Sequence, residues 1–287
     1  VRATLPDCAR PAPGLLVCFF LLLTACGRGP SHGSPETAGG PRIVSLIPAA
    51  TLTLVGLGLG ENVVGVGEHD PAAEALLPRE TPRVGSFLDV DAERLAALSP
   101  TRVVVPAGTQ LRLPAGAELL AQPYPETVEQ AAANLEALGA AGDAAAVRAA
   151  FAEATPDPGG PRVLLAFGTS PVWASGPGTV NDEVLRAAGG VNALADAAVP
   201  ALTLDEEALR ALAPEVVLLL LPGRDAVAAE AERASLATRL PGTRVAVLVD
   251  RFVLLPGPNL VGTLRRFREA LAPGAAPGPT MREREGG

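Results

Sequence analysis

Residues 91–105 read D-A-E-R-L-A-A-L-S-P-T-R-V-V-V, and residues 205–219 read D-E-E-A-L-R-A-L-A-P-E-V-V-L-L. Glu93 aligns with Glu207, Leu95 with Leu209, Leu98 with Leu212, Pro100 with Pro214 and Val103 with Val217, at a constant offset of 114 (207 − 93). Leucines three apart share one helix face. Proline cannot continue a helix, and it disfavours helical backbone in the residue before it. The apolar runs at 103–105 and 216–221 have strand length and no alternation, the pattern of a parallel strand covered on both faces. Each copy is therefore expected to be a short helix, a proline stop and a buried strand. A second echo precedes each copy: P-R-I-V-S-L at 41–46 and P-R-V-L-L-A at 161–166, offset by 120 (161 − 41). Both echoes in one order predict two similar α/β lobes. A solenoid would repeat every 20–50 residues or so.

Composition agrees with a globular chain. Of 287 residues, 48% are hydrophobic and 19% charged, and the formal net charge of −8 lacks the basic footprint of a nucleic-acid binder. Every basic side chain other than histidine is arginine. Aromatics make up only 3%, so each one is a candidate for a special role. Two histidines, one of them His32 near the start, cannot build a histidine-rich zinc site. No metal site and no catalytic group is predicted.

The first 25 residues read as a targeting segment. Arg2 and Arg10 supply a basic start, and residues 15–25 are apolar but shorter than the roughly 20 residues a membrane span needs. The segment ends L-T-A-C at residues 23–26, which resembles the bacterial lipobox. That resemblance implies cleavage before Cys26 and lipid on its sulfur. Cys8 and Cys18 leave with the signal, so the folded part is expected to have neither disulfide nor thiol chemistry. Residues 26–41 are then a Gly/Ser/Pro-rich tether reaching on the order of 20 Å. The expected location is outside the cytoplasm, anchored to a membrane by lipid.

Within the first lobe, residues 42–46 are expected as a strand. Residues 48–51 turn the chain, an apolar helix runs to Gly58 or Gly60, and residues 63–66 form the second strand. Gly56, Gly58 and Gly60 resemble part of a dinucleotide fingerprint, but they close a helix and precede a strand. The fingerprint needs the reverse order, so turn and C-cap roles are expected. No G-x-S-x-G elbow is present.

The order R-I-V-S-L-I-P-A-A-T, L-G-L-G-E-N-V-V-G-V and P-R-V-G-S-F-L-D-V-D-A-E-R-L-A-A-L-S-P resembles the periplasmic binding proteins of cobalamin, haem and ferric-siderophore importers. Phe167-Gly168, P-V-W-A-S-G at 171–176 and V-L-R-A-A-G-G-V-N at 184–192 resemble the second lobe of the same family, with the cobalamin-binding branch nearest. The likeness covers about residues 41–272. It implies an α/β fold of two similar lobes (42–123 and 161–272) joined by a crossing helix in a helical connector (124–160), with the ligand cleft between them. Residues 273–287 are expected to be a disordered tail. In the connector a helix is expected from Thr127 to about Leu138. A second, from an Asp143 N-cap to about Ala154, would span about 12 residues or roughly 18 Å, short for the family.

The resemblance also implies a lipid-anchored, monomeric binding protein that delivers its ligand to an ABC permease dimer with its ATPase. The ligand would be cobalamin or another corrinoid, with haem or a ferric siderophore as the alternative. An exported α/β enzyme is the reading from a different class. Ligand contacts would come from Phe87, from Trp173 in a loop after a strand, from His69 after the second strand, and from Asp250 and Phe252. The competing roles are packing on its own lobe for Trp173, a hydrophobic staple onto the following helix for Phe87 and a surface turn for His69, and Tyr124 between two prolines reads as linker packing. Glu93 and Glu207 would dock into basic pockets of the permease. An acid in a first helical turn is also stabilised by unpaired N–H groups and the helix dipole, a role open to both glutamates. Leu52 departs from the family, which often has an acid after the threonine of the first turn.

Overall fold

A computed structural model of the chain describes residues 40–77, 80–275 and 279–281. The predicted signal segment and Cys26 lie outside the described residues. The first lobe opens with β1 (Ile43–Ser45), α1 (Pro48–Gly56), β2 (Val63–Val66) and α2 (Pro71–Leu76). A small hairpin, β3 (Gly85–Ser86) and β4 (Asp89–Val90), leads into α3 (Ala92–Ala97), β5 (Arg102–Pro106) and β6 (Glu118–Gln122). Its four-stranded sheet is parallel throughout, in the order β2-β1-β5-β6. The connector holds α4 (Val128–Ala137) and α5 (Ala141–Ala152).

The second lobe begins with β7 (Arg162–Ala166), β8 (Val172–Ser175), α6 (Val180–Ala187), β9 (Val191–Asn192) and β10 (Ala201–Leu204). It continues with α7 (Glu206–Leu212), β11 (Val216–Leu220), α8 (Ala226–Arg239), β12 (Arg244–Val249), α9 (Leu260–Leu271) and β13 (Pro279–Met281). Its sheet runs β10-β8-β7-β11-β12-β13, with β9 also on β7. Strands β7, β11, β12 and β13 are parallel, while β8 and β10 add an antiparallel edge.

The duplicated unit is built the same way in both lobes. Asp91 caps α3 by accepting from the backbone N–H of Glu93 and Arg94, and Asp205 caps α7 by accepting from that of Ala208. Leu95 and Leu209 are fully buried under their helices. Residues 103–105 and 216–220 are buried, as continuous apolar runs in parallel sheets should be. The residue before each proline, Ser99 and Ala213, is left-handed at φ 44° and 42°. These two are the only non-glycine residues with positive φ among those described. The proline ring excludes a further helical residue there, and the chain reverses through the left-handed region instead.

Arginines finish the unit. Arg42 Nη2 donates to the Leu98 carbonyl at 2.7 Å, and Arg162 Nη2 to the Leu212 carbonyl at 3.4 Å. A cation at each helix C-terminus meets carbonyls that have no partner within the helix.

Several local expectations need correction. Residues 48–51 are the first turn of α1 rather than a separate turn, because Pro48 sits at its start, where a missing N–H costs nothing. Gly58, at φ +75°, does close that region as expected. Asp143 is not an N-cap: α5 starts at Ala141 and carries Asp143 in its first turn. Trp173 lies in strand β8, not in a loop. Within the expected disordered tail, residues 279–281 form β13 against β12.

The connector is a pair of packed helices bridged by Arg148, which reaches Glu129 at 2.7 Å and Glu136 at 2.5 Å. Its apolar face, including Ala131, Leu135 and Val147, belongs to the core of the second lobe, while Leu138 joins the core of the first. Among the described residues, no helix is long and apolar enough to cross a membrane.

Candidate functional site

In a parallel sheet the strand-end loops all gather at the carboxyl edge, and ligands bind there. The first lobe obeys this rule. Segments following β1, β2, β5 and β6 line a cavity of about 670 Å³, with α4 supplying Ala131 and Leu135 and its C-cap supplying Leu138. Residues 254–256, from the loop after β12, close it from the second lobe. Most of the wall is apolar.

The polar part of this wall is organised around Asp70. Its Oδ2 accepts from Thr51 Oγ1 at 2.6 Å, and Thr51 Oγ1 also lies 2.9 Å from Ser45 Oγ. The other oxygen caps α2, accepting from the N–H of Ala72 and Ala73 at 2.9 Å each. Asp70 is almost fully buried. Burial pushes its carboxyl above the usual aspartate value, opposed by these hydrogen bonds and by the charge of Arg83. The network fixes the loop that presents His69 to the cavity. His69 is exposed on the lining, and no hydrogen bond or ion pair holds its ring among the described residues. Gln122, buried at the end of β6, donates to the Asn134 carbonyl at 2.8 Å, and Asn134 Nδ2 donates to the Pro123 carbonyl at 2.9 Å. These bonds hold the strand end and α4 together across the floor.

A smaller cavity of about 280 Å³ adjoins the first. Its wall combines Phe167 with Ser175 of β8, the N-cap and first turn of α6 (Thr179, Asn181) and Ala201 of β10. Tyr124, Pro125 and residues 254–256 line both cavities, so they form the partition.

The predicted contacts fall at different distances from this cleft. Phe87, at the tip of the β3–β4 hairpin, lines the larger cavity with 46% of its surface exposed, and His69 lines it too. Trp173 is 51% exposed but lines neither cavity. It stands on the same face of β8 as Ser175, two residues away, and opposite Thr203 of β10, so it borders the smaller cavity from one side-chain row out. Asp250 and Phe252 are buried and line neither cavity. Asp250 accepts from the N–H of Phe252 and pairs with Arg266, bracing the start of the loop that carries residues 254–256.

Tyr124 is the cavity-lining aromatic that sequence reasoning missed. It is 81% exposed and belongs to both linings. The available signal was its position directly after the last strand of the first lobe, at the edge where ligands sit. Glu93 and Glu207 are exposed in the first turns of α3 and α7, and neither makes an ion pair among the described residues. Among the described residues no arginine lines either cavity; the charged lining residues other than histidine are Glu68, Asp70 and Glu126.

No protein-family model matches the chain. A curated relative, the vitamin B12-binding protein of Yersinia pestis (strain Pestoides F), is 26% identical over 203 residues, covering 62% of this chain and 69% of the relative. Among solved structures, the periplasmic heme-binding protein RhuT from Roseiflexus sp. RS-1 in apo form aligns with a TM-score of 0.61 and 27% identity. It covers 82% of this chain and 100% of that one. The periplasmic vitamin B12 binding protein BtuF of Vibrio cholerae aligns at 0.59 over 80% of this chain and 96% of its own; at 21% identity it bears on the fold alone. The resemblance read from the sequence is borne out, as is the α/β architecture of two sheet-bearing lobes. These proteins are binding proteins rather than enzymes.

Proposed function

We propose that this chain is the ligand-capturing subunit of an ATP-driven importer, held outside the cytoplasm by lipid on Cys26, and that its ligand is cobalamin or a related corrinoid. The observation that carries the reading is the composition of the cleft: a large apolar cavity with exposed aromatics at its rim and no arginine in its lining among the described residues. Haem carboxylates and charged siderophores bring negative charge that this wall does not answer. A corrin edge carries neutral amides, which ask for no cation in the wall. Phe87 and Tyr124 offer aromatic area at small entropic cost, and Trp173 extends it outward.

Haem is the second reading, favoured by one specific feature. His69 presents an imidazole without a hydrogen-bond partner among the described residues to the larger cavity, and a histidine can hold haem iron axially. The chain at 27% identity is a heme-binding protein.

Delivery follows from the duplication. A pseudo-symmetric receptor carrying an exposed acid at the equivalent position of each lobe, Glu93 and Glu207, suits a permease dimer that presents two equivalent basic pockets. The test is a visible-light titration of the purified soluble domain with cyanocobalamin and with haemin, backed by calorimetry. Saturable one-to-one binding of cobalamin with a weaker response to haemin is expected. Tight haemin binding that is lost in His69→Ala, with no response to cobalamin, overturns the corrinoid assignment and leaves the importer reading standing.

A further inference from the structure

The connector belongs mechanically to the second lobe. Val128, Ala131, Leu135 and Val147 are buried in one core with residues of β7, α6 and α9. The start of α4 is also tied to α6, where Glu183 Oε2 accepts from the Val128 N–H at 2.6 Å. Connector and second lobe therefore make one body, and the first lobe is carried on it. One attachment lies at α4. Gln122 and Asn134 join the end of β6 to that helix, and Leu138 enters the first-lobe core with Ala50 and Leu54 of α1.

A second attachment comes out of the second lobe itself. The loop between β12 and α9 reaches α1 at Gly257, which is buried. A Cβ on Gly257 would stand 3.6 Å from the Ala49 carbonyl oxygen, 3.7 Å from the Ala49 Cβ and 3.3 Å from Asn259 Oδ1. Gly257 is not among the glycines with positive φ, so its backbone conformation does not demand glycine. What a longer side chain there would meet is the other lobe.

Both sides of this contact are stiff. On α1, Pro48 occupies the first turn and Thr53 Oγ1 donates to the Ala49 carbonyl at 2.7 Å. On the loop, Asp250 pairs with Arg266 of α9 and accepts from the Phe252 N–H at 2.7 Å. Asn259 Nδ2 donates back to the Phe252 carbonyl at 2.8 Å. A slack loop would follow the first lobe wherever it moved, whereas a pinned one resists.

We propose that Gly257 is a positioning residue, the tip of a strut that runs from the second lobe to α1 and sets the spacing of the two lobes. The connector helices are short, at 10 and 12 residues. Two separated supports fix an orientation that α4 alone would leave free to rock. The strut is independent of which ligand the cleft takes.

The experiment measures the spacing directly. Residues 40–287 form one compact unit and contain no cysteine. Spin labels are placed at Ala115→Cys in the first lobe and Ser235→Cys on α8, both exposed positions, and pulsed electron paramagnetic resonance reads the distance between them. A single narrow distance is expected without further substitution. Gly257→Ala should keep it, because one methyl group meets Ala49 at ordinary contact distance and asks only a small shift of Asn259. Gly257→Leu should move or broaden it by more than about 2 Å, the size that separates a rearrangement from rigid behaviour. Ala49→Leu thickens the same contact from the first lobe and should do the same. Circular dichroism checks that each variant is folded, and either leucine variant suffices if the other does not fold. An unshifted, narrow distance in a folded leucine variant overturns the strut. So does a distribution that is already broad before Gly257 or Ala49 is changed.

Discussion

Asp70→Ala isolates the network under the cleft. The substitution removes the acceptor for the N–H groups of Ala72 and Ala73, both on buried residues, at the start of α2. Loss of a helix cap costs about 0.5–2 kcal/mol, and a buried donor left without a partner costs about 1–3 kcal/mol. Together these put the loss at about 2–4 kcal/mol, allowing for overlap between the terms. Asp70→Asn should behave differently. Its carbonyl oxygen can keep both N–H bonds, and its amide can donate to Thr51 Oγ1, whose own proton then turns to Ser45 Oγ or the Ile47 carbonyl. The expected loss for asparagine is below about 1 kcal/mol, within the range of neutral hydrogen-bond exchanges.

Urea unfolding of the soluble domain, followed by circular dichroism, measures both variants. The alanine variant should also melt roughly 4–16 °C lower, at about 2–4 °C per kcal/mol for a domain of this size. The pH dependence gives a second reading. Burial raises the Asp70 pKa, so between the ordinary aspartate value and the raised one the folded chain holds more protons than the unfolded chain. The contribution of Asp70 to stability is therefore largest below the ordinary aspartate value. It falls as pH rises through that window and is flat above it, and Asp70→Asn removes this slope. An alanine variant within about 1 kcal/mol of wild type, or an asparagine variant as damaged as the alanine one, would refute the reasoning.

Three further outcomes are expected. Cys26→Ser should release a soluble, folded and ligand-competent domain, because acyl chains hold a protein at a membrane; mass spectrometry finding wild-type protein with residues before Cys26 intact and no lipid contradicts the anchor. Phe87→Ala should weaken corrinoid binding by about 1–3 kcal/mol, as for loss of a buried aromatic contact, with Trp173→Ala at the low end because it stands one row out; calorimetry showing unchanged affinity for both removes them from the site. Glu93→Arg combined with Glu207→Arg should abolish uptake by cells while the isolated receptor keeps its ligand affinity, each single reversal being milder. Unfolding of the double variant would favour the helix-capping role, and normal uptake would dismiss docking.

How far the sequence carries depends on the reach of each signal. The lobes were legible because proline and leucine spacing act within one turn, and the offset of 114 brings Ser99 and Ala213 into the same left-handed conformation. Trp173 was expected in a loop because Pro171 and Gly176 flank it, but pairing of β8 with the distant β10 makes that stretch a strand of the sheet. Asp143 looked like a cap because local chemistry permits it, while packing against α4 starts α5 earlier. Phe87 and His69 lie near their own strand ends, and both line the larger cavity. Tyr124 and the partition depend on a meeting of residues 124–125 with residues 254–256, which no local pattern encodes.

The paired left-handed residues also bear on the history of this chain. Serine in one lobe and alanine in the other hold the same unusual backbone, followed in both by proline and preceded by a helix whose end an arginine covers. The path of the chain has outlasted the side chain at that position. The lobes differ most at their rims, where one carries a short hairpin bearing Phe87 and the other an antiparallel edge bearing Trp173. Descent from one ancestral lobe would leave this pattern, with the scaffold inherited whole and the rims free to diverge, so that a new ligand could be accommodated by changing a rim without disturbing the unit beneath it.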